Sequence, residues 1–192
     1  QLKGWTLSLV LATFLLTILG TFMTRSGVFN SVHSFTQSAI GPVFLGFLAV
    51  CMVFSLVLLA LRIDHLSPPK DSMAPVSRET GFLLNNLLFA AFTFTVLLGT
   101  IYPLLNEAIT GKQVSVGEPY FNRMTAPIGL ALVFLMGIGP ALPWGRVAPG
   151  DAARRLALPA VAGVVTGAAV YVLGIVDMWP LLTWAASGFA LA

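Results

Sequence analysis

The residues best suited to chemistry lie in the loop from Thr24 to Phe35, with the sequence TRSGVFNSVHSF. His33 offers a neutral imidazole, which is a good iron ligand and a common axial ligand of haem. Arg25 offers a guanidinium, whose planar fork suits the carboxylate of a haem propionate. The loop's apolar residues, at Val28, Phe29, Val32 and Phe35, have the spacing of a short helix lying at a membrane interface.

The same residue types also allow a plainer interpretation. Arg25 could extend its charged end to lipid headgroups, and His33 could simply cap a turn or donate a local hydrogen bond. The second histidine, His65, follows Asp64 in a later, charged loop and is interpreted as solvated. The sequence contains no paired carboxylates, CxxC, Walker motif or Ser–His–Asp set that would indicate a catalytic residue.

The elements that position this loop follow from the composition. Of the 192 residues, 57% are hydrophobic and 9% charged, whereas a soluble domain is roughly 45–50% apolar and about 25% charged. This small number of charges cannot cover a water-exposed surface. The apolar excess must therefore face lipid or buried protein. The net charge of +3 is too small and too scattered to indicate a nucleic-acid partner, and none is predicted. The lone Cys51 lies in an apolar run and is interpreted as an inert thiol.

A helix needs about twenty apolar residues to cross the ~30 Å hydrocarbon core. Six runs approach this length, at residues 4–23, 41–61, 81–102, 126–144, 156–176 and 178–192. We therefore predict an all-α, polytopic transmembrane helical bundle of about five to six spans. It forms a single integral-membrane region over residues 1–192, with the short interfacial helix in the first loop.

The basic residues predict the orientation. Seven of the ten Lys and Arg residues flank one side, including those of loops 62–80 and 145–155. The positive-inside rule places that side in the cytoplasm. Loops 24–40 and 103–125 then face outward, which in a bacterium is the periplasm, and His33 is periplasmic.

Polar residues elsewhere have two interpretations each. Asn85 and Asn86, in the third run, are expected to hydrogen-bond to another helix or to contact a cofactor. Glu107, Glu118 and Arg123, in the second outward loop, form either a docking face for a partner or ordinary solvated charges. The centres of the runs carry no Asp, Glu, Lys or Arg, which disfavours a pump or secondary transporter.

Five sequence blocks occur in the order and spacing of a known family. The chain resembles the CcmF family of cytochrome c haem lyase subunits, including its NrfE-type relatives. The blocks are Leu19–Phe35, Ser77–Asn86, Leu97–Pro103, Val114–Asn122 and Leu135–Pro140.

This resemblance implies a multi-pass protein of the bacterial inner membrane, surrounded by membrane lipid, and a haem lyase activity. Family members receive haem from the periplasmic chaperone CcmE. They attach it to the CxxCH motif of apocytochrome c, which CcmH-type subunits present. The family uses two periplasmic histidines as axial ligands of the substrate haem, and His33 matches the second of these. Two further histidines in the membrane hold a separate b-type haem.

The sequence departs from the family by omission. The tryptophan-rich WWD segment, the first periplasmic histidine and both membrane histidines are not in it. In the family order they would precede Gln1 or follow Ala192, so we expect an internal fragment of a longer or split protein. By itself this fragment should hold no b-type haem and should be inactive as a haem lyase. The alternatives are a non-catalytic haem-export or scaffold subunit and a small-solute transporter.

The orientation can be tested by thiol labelling in intact cells, in a chain carrying Cys51→Ala. Ser31→Cys should react with a membrane-impermeant maleimide, because loop 24–40 is predicted to face the periplasm. Ser72→Cys should react only after the cells are permeabilised. The unmodified chain is the control for Cys51, which should stay unlabelled within the membrane, and the reverse pattern at positions 31 and 72 would invert the topology.

Overall fold

The computed structural model describes residues 3–26, 40–66, 74–146 and 148–192. These residues form six helices in two compact units, Gln1–Ser72 and Met73–Ala192. Five helices are long and apolar enough to cross a membrane. The predicted class, an all-α polytopic membrane protein with five to six spans, is confirmed. The expected interfacial helix falls in residues 27–39 and lies outside the described residues.

The first unit is a hairpin of α1 (Lys3–Arg25) and α2 (Ile40–Leu66). A Cβ placed on Gly4 would lie 3.5 Å from the Cβ of Leu66, so the start of α1 meets the end of α2. Thr13, Thr17 and Thr21 each donate a hydroxyl hydrogen bond to the carbonyl four residues earlier, at 2.8–3.0 Å. These bonds satisfy the hydroxyls within α1, where lipid offers no partner.

The other end of this hairpin forms a neck. The backbone N–H of Ser26 donates to the carbonyl of Phe22 at 2.9 Å, which continues the last turn of α1. A Cβ placed on Gly41 would lie 3.0 Å from the Cβ of Ser26 and 3.3 Å from its Cα. Residues 27–39 therefore connect two points that are in contact, and we call the Ser26–Gly41 contact the neck.

The second unit contains α3 (Arg78–Thr110), α4 (Glu118–Ala141), α5 (Pro149–Val172) and α6 (Met178–Leu191). α3 continues beyond the apolar run that ends at Tyr102, and Gly111, with φ 69°, closes the helix in the left-handed conformation. Pro103 interrupts one backbone hydrogen bond without ending the helix. With 14 residues, α6 is about 21 Å long, shorter than a full span.

Glycines set how closely the helices of this unit approach. Cβ positions on Gly81 and Gly99 of α3 fall against Gly139 and against the rings of Tyr120 and Phe121 of α4. Consecutive helices α4 and α5 are bridged by α6, which packs against both. Gly137 of α4 accommodates Phe189 of α6, whose ring stacks on Phe134 at 4.8 Å between centroids.

α5 and α6 approach each other closely at two glycines. A Cβ on Gly163 would lie 2.9 Å from the carbonyl oxygen of Ala185, and one on Gly188 would overlap the side chain of Thr166. Small residues spaced four apart allow such approach in membrane helices. Between α4 and α5, over α6, lies an open groove of about 1130 Å³ whose lining is apolar.

Gly188→Ala should destabilise the protein by about 1–3 kcal/mol, because the added methyl group must push α5 and α6 apart. The measurement is the thermal unfolding midpoint in detergent. Gly129→Ala in α4 is the matched control, since no atom lies within 4 Å of its Cβ position. Equal midpoints for the two variants would contradict the close α5–α6 contact.

The neck can be tested by disulfide formation in a Cys51→Ala background. Ser26→Cys combined with Gly41→Cys should oxidise readily within one chain, because disulfide Cβ atoms lie about 3.5–4.5 Å apart and a small shift achieves this. The readout is mobility on a non-reducing gel after mild oxidation. Ser26→Cys with Gly46→Cys is the control, as Gly46 has no neighbour within 4 Å. Similar oxidation of both pairs would show that the neck does not hold these residues together.

Candidate functional site

The neck is the described base of the loop that carries His33. His33 itself, with the apolar residues Val28, Phe29, Val32 and Phe35, lies outside the described residues. The structure therefore describes the two residues at which the loop of the predicted haem ligand starts and ends, Ser26 and Gly41, and does not describe His33 itself. α1 and α2 hold these two residues, because their contact continues from Gly4 and Leu66 at one end to Ser26 and Gly41 at the other.

Arg25 is the last residue of α1 and is exposed at the neck. A cation in the final turn of a helix is favoured by the carbonyl oxygens that the helix leaves unpaired there. Arg25 is also engaged in an interaction within the protein. Its predicted contact with a haem propionate stays a prediction.

Glu107, in the last turn of α3, and Glu118, the first residue of α4, each accept a short-range hydrogen bond. Gln113 donates to Glu107 at 2.9 Å, and Asn122 donates to Glu118 at 3.2 Å. Asn106 donates to the carbonyl of Lys112 at 2.8 Å, which fixes the turn after α3. These bonds leave both carboxylates exposed, which is compatible with either interpretation, a docking face for a partner or solvated charges.

Asn85 and Asn86 are half-buried in the span of α3. Neither side-chain amide makes a hydrogen bond among the residues that the structure describes. The expected bond to another helix is therefore not formed with α4, although Asn85 lies one turn from Gly81, which contacts that helix.

A cluster at the start of α3 was not anticipated from the sequence. Arg78 donates from Nε to the carbonyl of Leu142 at 2.8 Å and from a terminal nitrogen to the carbonyl of Pro140 at 2.6 Å. Its guanidinium carbon lies 5.3 Å from the ring centroid of Trp144. A cation in the first turn opposes the dipole of its own helix, but here it neutralises the carbonyl end of α4.

The neighbouring residues complete this junction. Ser77 is 1% exposed, and its hydroxyl accepts from the backbone N–H of Thr80 at 3.2 Å, so it caps α3. The carboxylate of Glu79 accepts from the N–H of Gly145 at 3.1 and 3.2 Å. In the sequence, Ser-Arg-Glu-Thr at the start of an apolar run predicts a helix N-cap. It gives no sign that Arg78 will bond to carbonyls more than sixty residues away.

No haem site is shown within the described residues. No group of three or more His, Cys, Asp or Glu side chains comes together in the described ranges. The groove over α6 is lined by residues of α4, α5 and α6 that include neither histidine, cysteine nor methionine. It therefore lacks the side chains that most often ligate haem iron.

No protein-family model matches the chain. Curated relatives do match it. It is 43% identical over 173 residues to the cytochrome c-type biogenesis protein CycK of Rhizobium meliloti, covering 88% of this chain and 25% of that protein. It is 40% identical over 148 residues to the cytochrome c-type biogenesis protein CcmF of Escherichia coli, covering 77% and 23%.

A solved structure supports the same relationship. The structure of the cytochrome c haem lyase CcmF superposes with a TM-score of 0.71 and 32% sequence identity, covering 100% of this chain and 27% of that one. The chain thus spans about a quarter of the length of the relatives it matches. It belongs to the CcmF family of cytochrome c-type biogenesis proteins, as its ordered sequence blocks predicted.

Proposed function

We propose that this chain supplies one half of the substrate-haem site of a cytochrome c haem lyase, with His33 as an axial ligand of the haem iron. The observation that carries the proposal is membership of the CcmF family. The resemblance of the Leu19–Phe35 block implies that His33 takes the place of the family's second periplasmic histidine. The neck adds physical support, because it fixes both ends of the His33 loop at the end of a membrane hairpin.

Attachment of haem to apocytochrome c depends more on positioning the haem and the thiols than on a catalytic side chain. Each cysteine thiol of the CxxCH motif adds across one haem vinyl group: a carbon–sulfur bond forms, and the thiol hydrogen ends on the other vinyl carbon. The addition consumes no oxidant or reductant, although the thiols must be reduced. A protein that holds the haem at the membrane surface, with its vinyl edge open to the aqueous side, brings the reactants together.

The roles of the residues follow from this arrangement. His33 would hold the haem through its iron, and Arg25, at the neck, would pair with a propionate. The first axial histidine and the WWD segment would come from outside these 192 residues, as would both ligands of the b-type haem. The chain thus has no catalytic residue of its own, and alone it should not attach haem.

The proposed setting is the bacterial inner membrane, with the His33 loop in the periplasm. There the haem chaperone CcmE would deliver haem, and a CcmH-type subunit would present reduced apocytochrome c. The alternative is a non-catalytic haem-export or scaffold role. It predicts a different accumulating species, since failed export leaves the chaperone without haem, whereas failed attachment leaves it loaded.

His33→Ala in a full-length protein containing this segment tests the proposal. Maturation of c-type cytochromes should fall by more than about tenfold, because even outer-shell partners of a metal ligand are worth about 10–100-fold in affinity. The b-type haem spectrum should persist, and haem should accumulate on the chaperone. The readouts are haem staining of cytochrome and chaperone and the absorbance of the purified protein.

His65→Ala is the matched control, since His65 lies at the opposite end of α2 and should leave maturation unchanged. Normal maturation with His33→Ala would exclude the axial role. Loss of chaperone-bound haem would favour the export role instead.

A further inference from the structure

One face of α3 carries two polar side chains, those of Asn86 and Thr93, that make no hydrogen bond within the described residues. It consists of Asn86, Phe89, Thr93, Val96 and Thr100, spaced alternately three and four residues apart, and we call it the Asn86 face. Gly81 and Gly99, which contact α4, are eighteen residues or five helical turns apart, so they mark the side facing α4. The Asn86 face lies about 100° around the helix from that side.

The apolar members of this face are uncovered. Phe89 is 54% exposed and Val96 is 37% exposed. The Asn86 amide and the Thr93 hydroxyl make no side-chain hydrogen bond among the described residues. Thr100 donates to the carbonyl of Val96 at 2.7 Å, which satisfies that hydroxyl within the helix.

The depth of Asn86 makes its amide costly to leave unpaired. Arg78 and Trp144 mark one membrane interface, since a cation and an amphipathic ring both prefer that level. Asn86 lies eight residues further along α3, about 12 Å deeper at 1.5 Å per residue. At that depth lipid offers neither donor nor acceptor, whereas an Asn side chain commonly bonds to a neighbouring helix.

We propose that the Asn86 face packs against a transmembrane helix from the part of the family's polypeptide that lies outside these 192 residues. That helix carries a hydrogen-bonding side chain level with Asn86. The matched relatives are more than three times as long as this chain, so most of their polypeptide is available to supply it. The alternating spacing of three and four suits a left-handed crossing of about 20° between the two helices.

This inference is independent of the haem-ligand role of His33. It concerns a different unit of the chain, and it predicts a contact rather than an activity. Lipid as the occupant would leave the Asn86 amide unpaired. A second copy could pair amide with amide, so the experiment distinguishes an intrachain contact from an intermolecular one.

The experiment places the photo-crosslinking amino acid p-benzoylphenylalanine at position 89 of a full-length protein containing this segment. Irradiation should join it to a peptide of the same chain from a transmembrane segment outside these 192 residues, identified by mass spectrometry. The control position is Phe94, which is 64% exposed and lies about 140° around α3 from Phe89. Its adducts should not include that peptide.

Asn86→Leu should lower the yield of the Phe89 adduct several-fold, because the apolar side chain is similar in size but cannot hydrogen-bond. Asn85→Leu is the matched control on the α4 side and should leave the yield unchanged. The probe at Thr93, one turn away, provides a second position if the first disturbs folding. Adducts only with lipid, adducts with a differently tagged second copy, or a yield insensitive to Asn86→Leu would each overturn the proposal.

Discussion

The interior of a bilayer provides no hydrogen-bond partner, and most of this structure is a response to that constraint. Each backbone polar group must be satisfied by its own helix, so the apolar runs are helical. The hydroxyls of Thr13, Thr17 and Thr21 in α1 bond to carbonyls of the same helix for the same reason. Because lipid is as apolar as leucine, helices associate by close packing, and glycines such as Gly163 and Gly188 permit it.

The same constraint moves the chemistry to the ends of the helices. At the start of α3, Arg78, Glu79 and Ser77 bond to backbone groups that α3 and α4 leave unpaired. At the end of α1, the neck brings Ser26 against Gly41 and fixes the origin of the His33 loop. At the start of α3, the polar side chains bond to backbone groups and hold two helices together. At the neck, the chain continues into a loop that carries the imidazole of His33, and a ligand-binding role is therefore proposed only there.

Composition and run length were enough to predict the fold class, because 9% charged residues cannot solvate a soluble surface. They could not predict that α6 lies between α4 and α5. All three helices are apolar around most of their circumference, so the hydrophobic periodicity does not indicate which side of each helix faces its neighbours. Packing decides this through Gly137 and Phe189. The Arg78 junction was equally hidden, because its acceptors are carbonyls more than sixty residues away. For the site, the sequence supplied His33 and Arg25, and the structure adds the neck that supports them.

The exposed surfaces of α2 and α3 differ in a way that bears on what surrounds them. α2 exposes large apolar side chains such as Val43, Phe54 and Leu61, while its Ser55 is 7% exposed and turned inward. Such a surface is suited to lipid, which needs no hydrogen bonds. α3 instead exposes Thr93, and its Asn86 amide has no hydrogen-bond partner in the part of the chain that the structure describes. Because a polar group at this depth is stabilised by protein and not by lipid, the Asn86 face of α3 is suited to contact with protein, whereas the exposed surface of α2 is suited to lipid.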